Sequence, residues 1–246
     1  MPPSPYQPPQ SDPAALAAEG YWDESRQPLT SLVFIAPLLV IYEAAVLLLG
    51  TDAVRNGAEV WLRQFLDLLD RYLLDLGQYF LLPVLTVCTL LGWHYTTRRP
   101  WRVRPGLLAE MAGECVVLAV ILRLLAQLLH MVPWLSISSK IGLAAGFLGA
   151  GIYEELLFRL ILLSLVTWGL KRLKVEEGKA IVVAVLLTSL LFSAAHYIGP
   201  HGDELQVYSF LFRSLAGVFF SVLFLCRGFG IAVGTHAGYD LLVGLF

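Results

Sequence analysis

What this sequence has least of is charge. Only 15% of its 246 residues are Asp, Glu, Lys or Arg, against 57% hydrophobic, and the mean hydropathy is +0.70. A soluble domain carries about a quarter charged residues, so that class is excluded and the chain reads as a polytopic membrane protein. Cysteine is nearly absent as well. Cys88, Cys115 and Cys226 stand singly in apolar runs, which leaves no disulfide framework and no zinc spacing and reads as three buried thiols. There is no phosphate-cradling glycine loop, no exposed Ser or Cys nucleophile motif, no repeat of 20 to 50 residues and no inverted pair of broken helices of the kind many transporters carry.

Proline is plentiful in one place only. Seven of the thirteen prolines fall in residues 1–28, with Asp12, Glu19, Asp23 and Glu24, a composition that builds no apolar face and predicts a disordered tail. No basic region leads into an apolar one there, so a cleaved signal peptide is not expected. The rest predicts an all-α fold, a transmembrane helix bundle of about seven spans: 29–50, 76–95, 111–129, 141–169, 180–198, 205–226 and 229–246. Between Glu59 and Asp75, apolar Leu62, Phe65, Leu66, Leu69, Tyr72 and Leu73 alternate at helical spacing with Arg63, Asp67, Asp70 and Arg71, the pattern of one interfacial amphipathic helix. Three regions follow: the tail 1–28, an N-terminal membrane region 29–140, and a core 141–246.

Seven spans place the N-terminus and the loops after spans two, four and six on one side. That side collects Arg26, Arg98, Arg99, Arg102, Arg104, Lys171, Arg172, Lys174, Lys179 and Arg227; the other has Arg55, Arg63, Arg71 and Lys140. The excess of basic residues predicts a cytoplasmic N-terminus. Isolated acids and bases within spans, Glu43, Glu114 and Arg123 among them, read first as interhelical pairs.

One span departs from this economy of charge. Ile141 to Gly169 holds Glu154, Glu155 and Arg159 within six residues and no other charge. An ionisable group at mid-membrane costs at least ~2.5–3.5 kcal/mol, so these must be paired, hydrated or functional. Glu155 and Arg159 are four apart and can pair along one helix face, while Glu154 points about 100° away. Gly146, Gly149 and Gly151 leave room for a neighbouring helix or a substrate. The fifth span ends with Ser193 and His196, and the seventh carries His236 and Asp240 at spacing four. Two histidines and three carboxylates on three apolar spans point to one site.

Two uses of such a set both add water to a carbonyl. If Glu154, His196 and His236 bind zinc with an open position, Asp240 serves as a fourth ligand or orients His236, and the metal makes the nucleophile. Alternatively Glu154 takes a proton from water held by His196, while His236 and a protonated Asp240 stabilise the oxyanion. The cofactor is therefore zinc or none. A proton-coupled transporter and a non-catalytic membrane scaffold or immunity protein are the competing readings. Depth is a difficulty, because at about 1.5 Å per residue Glu154 lies ~20 Å beyond Lys140, His196 ~25 Å beyond Lys179 and His236 only ~13 Å beyond Arg227. Convergence requires helices that tilt or start late, or a site that opens outward.

The sequence resembles a known family at these residues. Glu154-Glu155 with Arg159 is similar to an EExxxR motif, Phe192 with His196 to FxxxH, and His236 with Asp240 to HxxxN/D. These are motifs of the CPBP family of intramembrane proteases, which includes the CAAX prenyl endopeptidases and bacterial relatives linked to bacteriocin self-immunity. The resemblance covers residues 141–246. It implies an intramembrane endopeptidase in which Glu154 activates water, His196 helps to hold it, His236 and residue 240 line the oxyanion site, and Glu155 and Arg159 support them. The prenyl endopeptidase branch has Asn where this chain has Asp240, which lacks a side-chain amide to donate. Expected partners are membrane lipids and a peptide or lipidated-protein substrate, with no nucleic acid. The expected location is a bacterial plasma (inner) membrane.

Overall fold

The computed structural model describes residues 20–50, 57–62, 64, 81–128, 140–198 and 202–245, and everything regular among them is helical. Residues 1–19 of the expected tail, most of the expected interfacial helix and the connections at 51–56, 65–80, 129–139 and 199–201 lie outside the described residues. A short helix, α1 (Tyr21–Ser25), is followed by α2 (Pro28–Leu49), α3 (Leu81–Thr97) and α4 (Pro105–Leu128). One long element then runs from α5 (Lys140–Glu155) through a π-helical stretch, Leu156–Leu163, into α6 (Ser164–Arg172). The chain turns back into α7 (Glu177–Ala195), α8 (Val207–Arg227) and α9 (Phe229–Leu245). Among the described residues, three helices are long and apolar enough to cross a membrane: α2, α7 and α8. The helices α3, α4, α5 with its continuation, and α9 occupy the other stretches read as spans.

The exterior is apolar and the interior is not. Val116, Val117, Val120 and Ile121 of α4, and Val182, Val183, Leu186 and Leu187 of α7, are exposed, while Thr188, Ser189, Ser193, Glu155 and Arg159 are buried. A soluble protein does not present such continuous apolar faces; in lipid they are the solvated surface, and the polar groups must find partners inside. Thr188 and Ser189 do so by donating back to the carbonyls of Ala184 and Val185. Of the three thiols only Cys115 is buried; Cys88 and Cys226 are exposed, a correction to the expectation of three buried ones, because their helix faces look outward.

Small residues set the packing distances. A Cβ on Gly149 would fall 2.1 Å from the Tyr42 ring, one on Gly217 2.9 Å from Ser189, and one on Gly151 2.8 Å from the Ala237 Cβ and 2.9 Å from its backbone nitrogen. These contacts draw α2, α8 and α9 against their neighbours at backbone range. Gly151 brings α5 and α9 together one turn below Glu154 and beside His236.

One end of the bundle is tied. Arg227 makes a two-pronged ion pair with Glu114, at 2.7 Å through each prong, and its guanidinium lies 3.7 Å from the centre of the Trp22 ring. Tyr21 donates to the same carboxylate, Arg26 to the Leu225 carbonyl, and Arg104 pairs with Glu24. The residues 21–26, lying within the stretch read as a tail, are thus held against the ends of α4 and α8. Glu114 pairs between helices as expected. Arg123 has no acidic partner among the described residues.

Gly151→Ala is expected to lower stability by about 1–3 kcal/mol, because the added methyl meets backbone rather than a movable side chain. Gly113→Ala, where nothing stands within 4 Å, is expected to be close to neutral. Thermal unfolding in detergent reads the difference, and equal effects would contradict the packing role.

Candidate functional site

Residues 154–159 straddle the junction between α5 and the π-helical stretch that begins at Leu156. A π-helix widens the turn to an i→i+5 pattern and occurs mostly at functional sites. Here the wider turn contains Arg159 and begins directly after the two glutamates. Glu155 and Arg159 pair as their spacing predicts, at 3.0 Å, with side chains 0% and 1% exposed. Arg159 also donates to the Gly217 carbonyl on α8 at 3.2 Å, and its guanidinium lies 4.4 Å from the centre of the Phe192 ring. A buried guanidinium needs this set of counter-charge, carbonyl and ring faces to be tolerated.

The same Glu155 oxygen reaches across to α9, where it lies 2.7 Å from His236 Nδ1. A carboxylate held by arginine is an acceptor, so His236 Nδ1 carries the proton and donates. That fixes the ring and turns Nε2 toward Glu154 Oε2 at 3.8 Å and Asp240 Oδ2 at 3.5 Å. Phe220 stacks on the imidazole, 4.5 Å between ring centres and 16° from parallel. His196, which caps the C-terminal end of α7, is fixed in the same manner. Its Nδ1 lies 2.8 Å from the Phe192 carbonyl, which can only accept, so Nδ1 is the donor and Nε2 is left bare, 4.0 Å from the same Glu154 oxygen.

All six residues singled out in the sequence, Glu154, Glu155, Arg159, His196, His236 and Asp240, therefore meet in one place. They form two layers. Glu155, Arg159 and His236 are almost wholly buried, while the side chains of Glu154, Asp240 and His196 are 13%, 22% and 26% exposed, so the site opens on the side of these three. The gap is lined by acceptors: a carboxylate oxygen and a bare imidazole nitrogen that converge without touching. At a separation of 4.0 Å, one water about 2.8 Å from each would supply the hydrogens both lack. Ser193, expected on the same face as His196, turns away and donates to the Phe210 carbonyl.

The depth difficulty resolves through connectivity. The elements α6 and α7 share one turn, Glu154 stands eighteen residues before Arg172 and His196 nineteen after Glu177, so both lie about 25–29 Å from that turn. The first turn of α9 is itself buried, with Phe229, Ile231, Ala232 and Val233 all 0% exposed, so His236 starts from inside the bundle. Of the two acids beside His236, Glu155 is the closer, at 2.7 Å on Nδ1, and Asp240 stands 3.5 Å from Nε2. Among the described residues no group of three or more His, Cys, Asp or Glu is placed to hold a metal ion.

Phe220 and the Gly217 carbonyl were not anticipated. Both sit in the apolar run of α8, where an aromatic or glycine that touches the site looks like any other. Glu43 was read as pairing with another helix, and it accepts from Tyr153, the residue before Glu154.

A family model described as type II CAAX prenyl endopeptidase Rce1-like matches residues 136–242, the stretch that supplies all six residues. No curated protein and no solved structure gives a match.

The layers predict different penalties. Glu155→Ala strands Arg159 and is expected to cost about 3–5 kcal/mol of stability, whereas Glu154→Gln, at the opening, is expected to change stability by less than about 1 kcal/mol. Thermal unfolding of the two variants in detergent checks this, and an equal loss would contradict the layering.

Proposed function

We propose that the chain is an intramembrane endopeptidase of the CPBP/CAAX type that hydrolyses a peptide bond in a membrane-associated or prenylated substrate with water activated by Glu154, a reading supported by the match of residues 136–242 to the Rce1-like family model. The observation that carries this reading is the approach of both imidazole Nε2 atoms to one Glu154 oxygen, at 3.8 and 4.0 Å. That geometry leaves a space for one water between a base and a holder of fixed tautomer.

The chemistry follows from the donors and acceptors. Water donates one hydrogen to Glu154 and the other to bare His196 Nε2. As its oxygen bonds to the scissile carbonyl carbon, Glu154 takes a proton and the carbonyl π electrons move to oxygen. Nε2 of His236 and Oδ2 of Asp240 face one another at 3.5 Å, and a proton carried on either one, turned from its neighbour to the substrate, is the donor to the oxyanion. With that proton on Oδ2, a carboxylic acid donates where the missing amide at residue 240 would. Glu154 then gives its proton to the leaving nitrogen, the C–N bond breaks, and a carboxylic acid and an amine depart. Beneath them, Glu155 with Arg159 holds His236 by its Nδ1 proton.

The membrane arrangement belongs to the same proposal. Seven helical crossings with a cytoplasmic N-terminus put the basic residues of the N-terminal segment, 98–104 and 171–179 on the inner face of a plasma membrane. The ties of Arg26 to Leu225 and of Arg104 to Glu24 support it, since they gather those segments at one end of the bundle. The exposed apolar faces then meet acyl chains, and a prenyl group or apolar peptide reaches the site from the lipid.

Purified protein in proteoliposomes is expected to cleave a farnesylated C-terminal peptide. Glu154→Gln and His196→Ala are expected to lower turnover by at least about 10²–10⁴-fold with unfolding temperatures kept. Undiminished cleavage in either variant would sink the assignment. Proton-driven flux that Glu154→Gln abolishes, without cleavage by the wild type, would favour a transporter instead.

A further inference from the structure

His196 is the least rigidly placed of the six residues by its own helix, because α7 ends at Ala195 and the histidine is only its cap. The turns beyond it tighten: Tyr197 donates to the Ala194 carbonyl at 3.0 Å and Ile198 to the Ala195 carbonyl at 3.3 Å. Then the chain returns. The backbone N–H of Asp203 donates to the His196 carbonyl at 2.9 Å, and Gly202 passes so close to Tyr197 that a Cβ would fall 2.8 Å from the Tyr197 carbonyl carbon. The side chain of Asp203 is held by Arg213, two turns into α8, at 2.5 Å. The Arg213 guanidinium also lies 5.4 Å from the centre of the Tyr197 ring. Ser193, one turn before the histidine, is tied to the same end of α8 through the Phe210 carbonyl at 2.7 Å.

We propose that Arg213 and Asp203 are positioning residues for His196: a latch from α8 that grips the backbone on the far side of the histidine and holds its imidazole over Glu154. Neither residue hydrogen-bonds or pairs with Glu154, His236 or Asp240; the latch reaches the site through the backbone of His196. The ion pair is half-exposed, with Asp203 at 56% and Arg213 at 25%, so solvent screening keeps its share of global stability small. Its consequence is local. His196 Nε2 stands 4.0 Å from Glu154, and a displacement of about 1 Å at such a distance is enough to cost on the order of 10²-fold in rate. The inference deepens the endopeptidase reading and rests on it for the role of His196.

The test pairs turnover with hydrogen–deuterium exchange over residues 193–206, using Arg213→Ala, Asp203→Ala, the double variant and Arg213→Lys. The latch predicts that each alanine variant lowers kcat by about 10–100-fold with KM changed by less than about threefold. The double variant is no worse than either single one, Arg213→Lys recovers part of the loss, and exchange rises over 193–206 with the unfolding temperature kept. Losses that multiply in the double variant, a rise in KM with kcat unchanged, or exchange at 193–206 equal to wild type would each overturn it. If the wild type shows no cleavage at all, the endopeptidase reading falls, while the exchange data still decide whether Arg213 and Asp203 hold this segment.

Discussion

Everything in this protein turns on one carboxylate that never meets solvent. Glu155 is 0% exposed, and one of its oxygens receives both Arg159 along its own helix and His236 from α9. A carboxylate and a guanidinium inside a bundle cost several kcal/mol each to desolvate, and only close pairing with further hydrogen bonds offsets that cost. The pair therefore fixes where α9 sits against α5, and it fixes the His236 tautomer. The proton on Nδ1 belongs to Glu155, so Nε2 is free for chemistry. Structural and functional demands are met by the same atom.

Around that contact the bundle is arranged from the inside outward. Glycines at 149, 151 and 217 let helices approach to backbone range. Aromatic rings fill what remains: Phe192 stands between Arg159 and His196, and Phe220 lies flat on His236. Such rings exclude water from all but the Glu154 side, and in a site of low dielectric each remaining hydrogen bond is stronger than it is in water. The π-helical stretch after Glu155 is the local distortion that this crowding requires. It lets Arg159 reach α8 while Glu154, at the junction, keeps its face toward His196.

Much of this was legible in the sequence, and the reason is the scarcity of charge. In a run where every other residue is apolar, Glu154, Glu155 and Arg159 cannot be incidental, and the spacing of four that joins Glu155 to Arg159 and His236 to Asp240 is a property of any helix. The convergence of all six residues follows from the energetics of ions in lipid. What could not be read is what one helix does to another. The partner of His236 Nδ1, the stacking of Phe220 and the carbonyl of Gly217 depend on interhelical register, which no local pattern records. Depth misled for a related reason: residue counts were taken from opposite ends of helices that share a turn, and from a helix, α9, that begins inside the protein. For Asp240 the sequence left three roles open, metal ligand, orienter of His236 and oxyanion donor, and that Glu155 is the acid on Nδ1 depends on the same interhelical register.

The central claim is that a water in the gap between Glu154 and the two imidazoles is the nucleophile, with no side chain bonding to the substrate. Cleavage of a prenylated peptide in water enriched with heavy oxygen, with hydroxylamine present, tests it most directly. The account predicts one solvent oxygen in the new carboxyl group and no hydroxamate. A hydroxamate product, the mark of an acyl-enzyme, would contradict it.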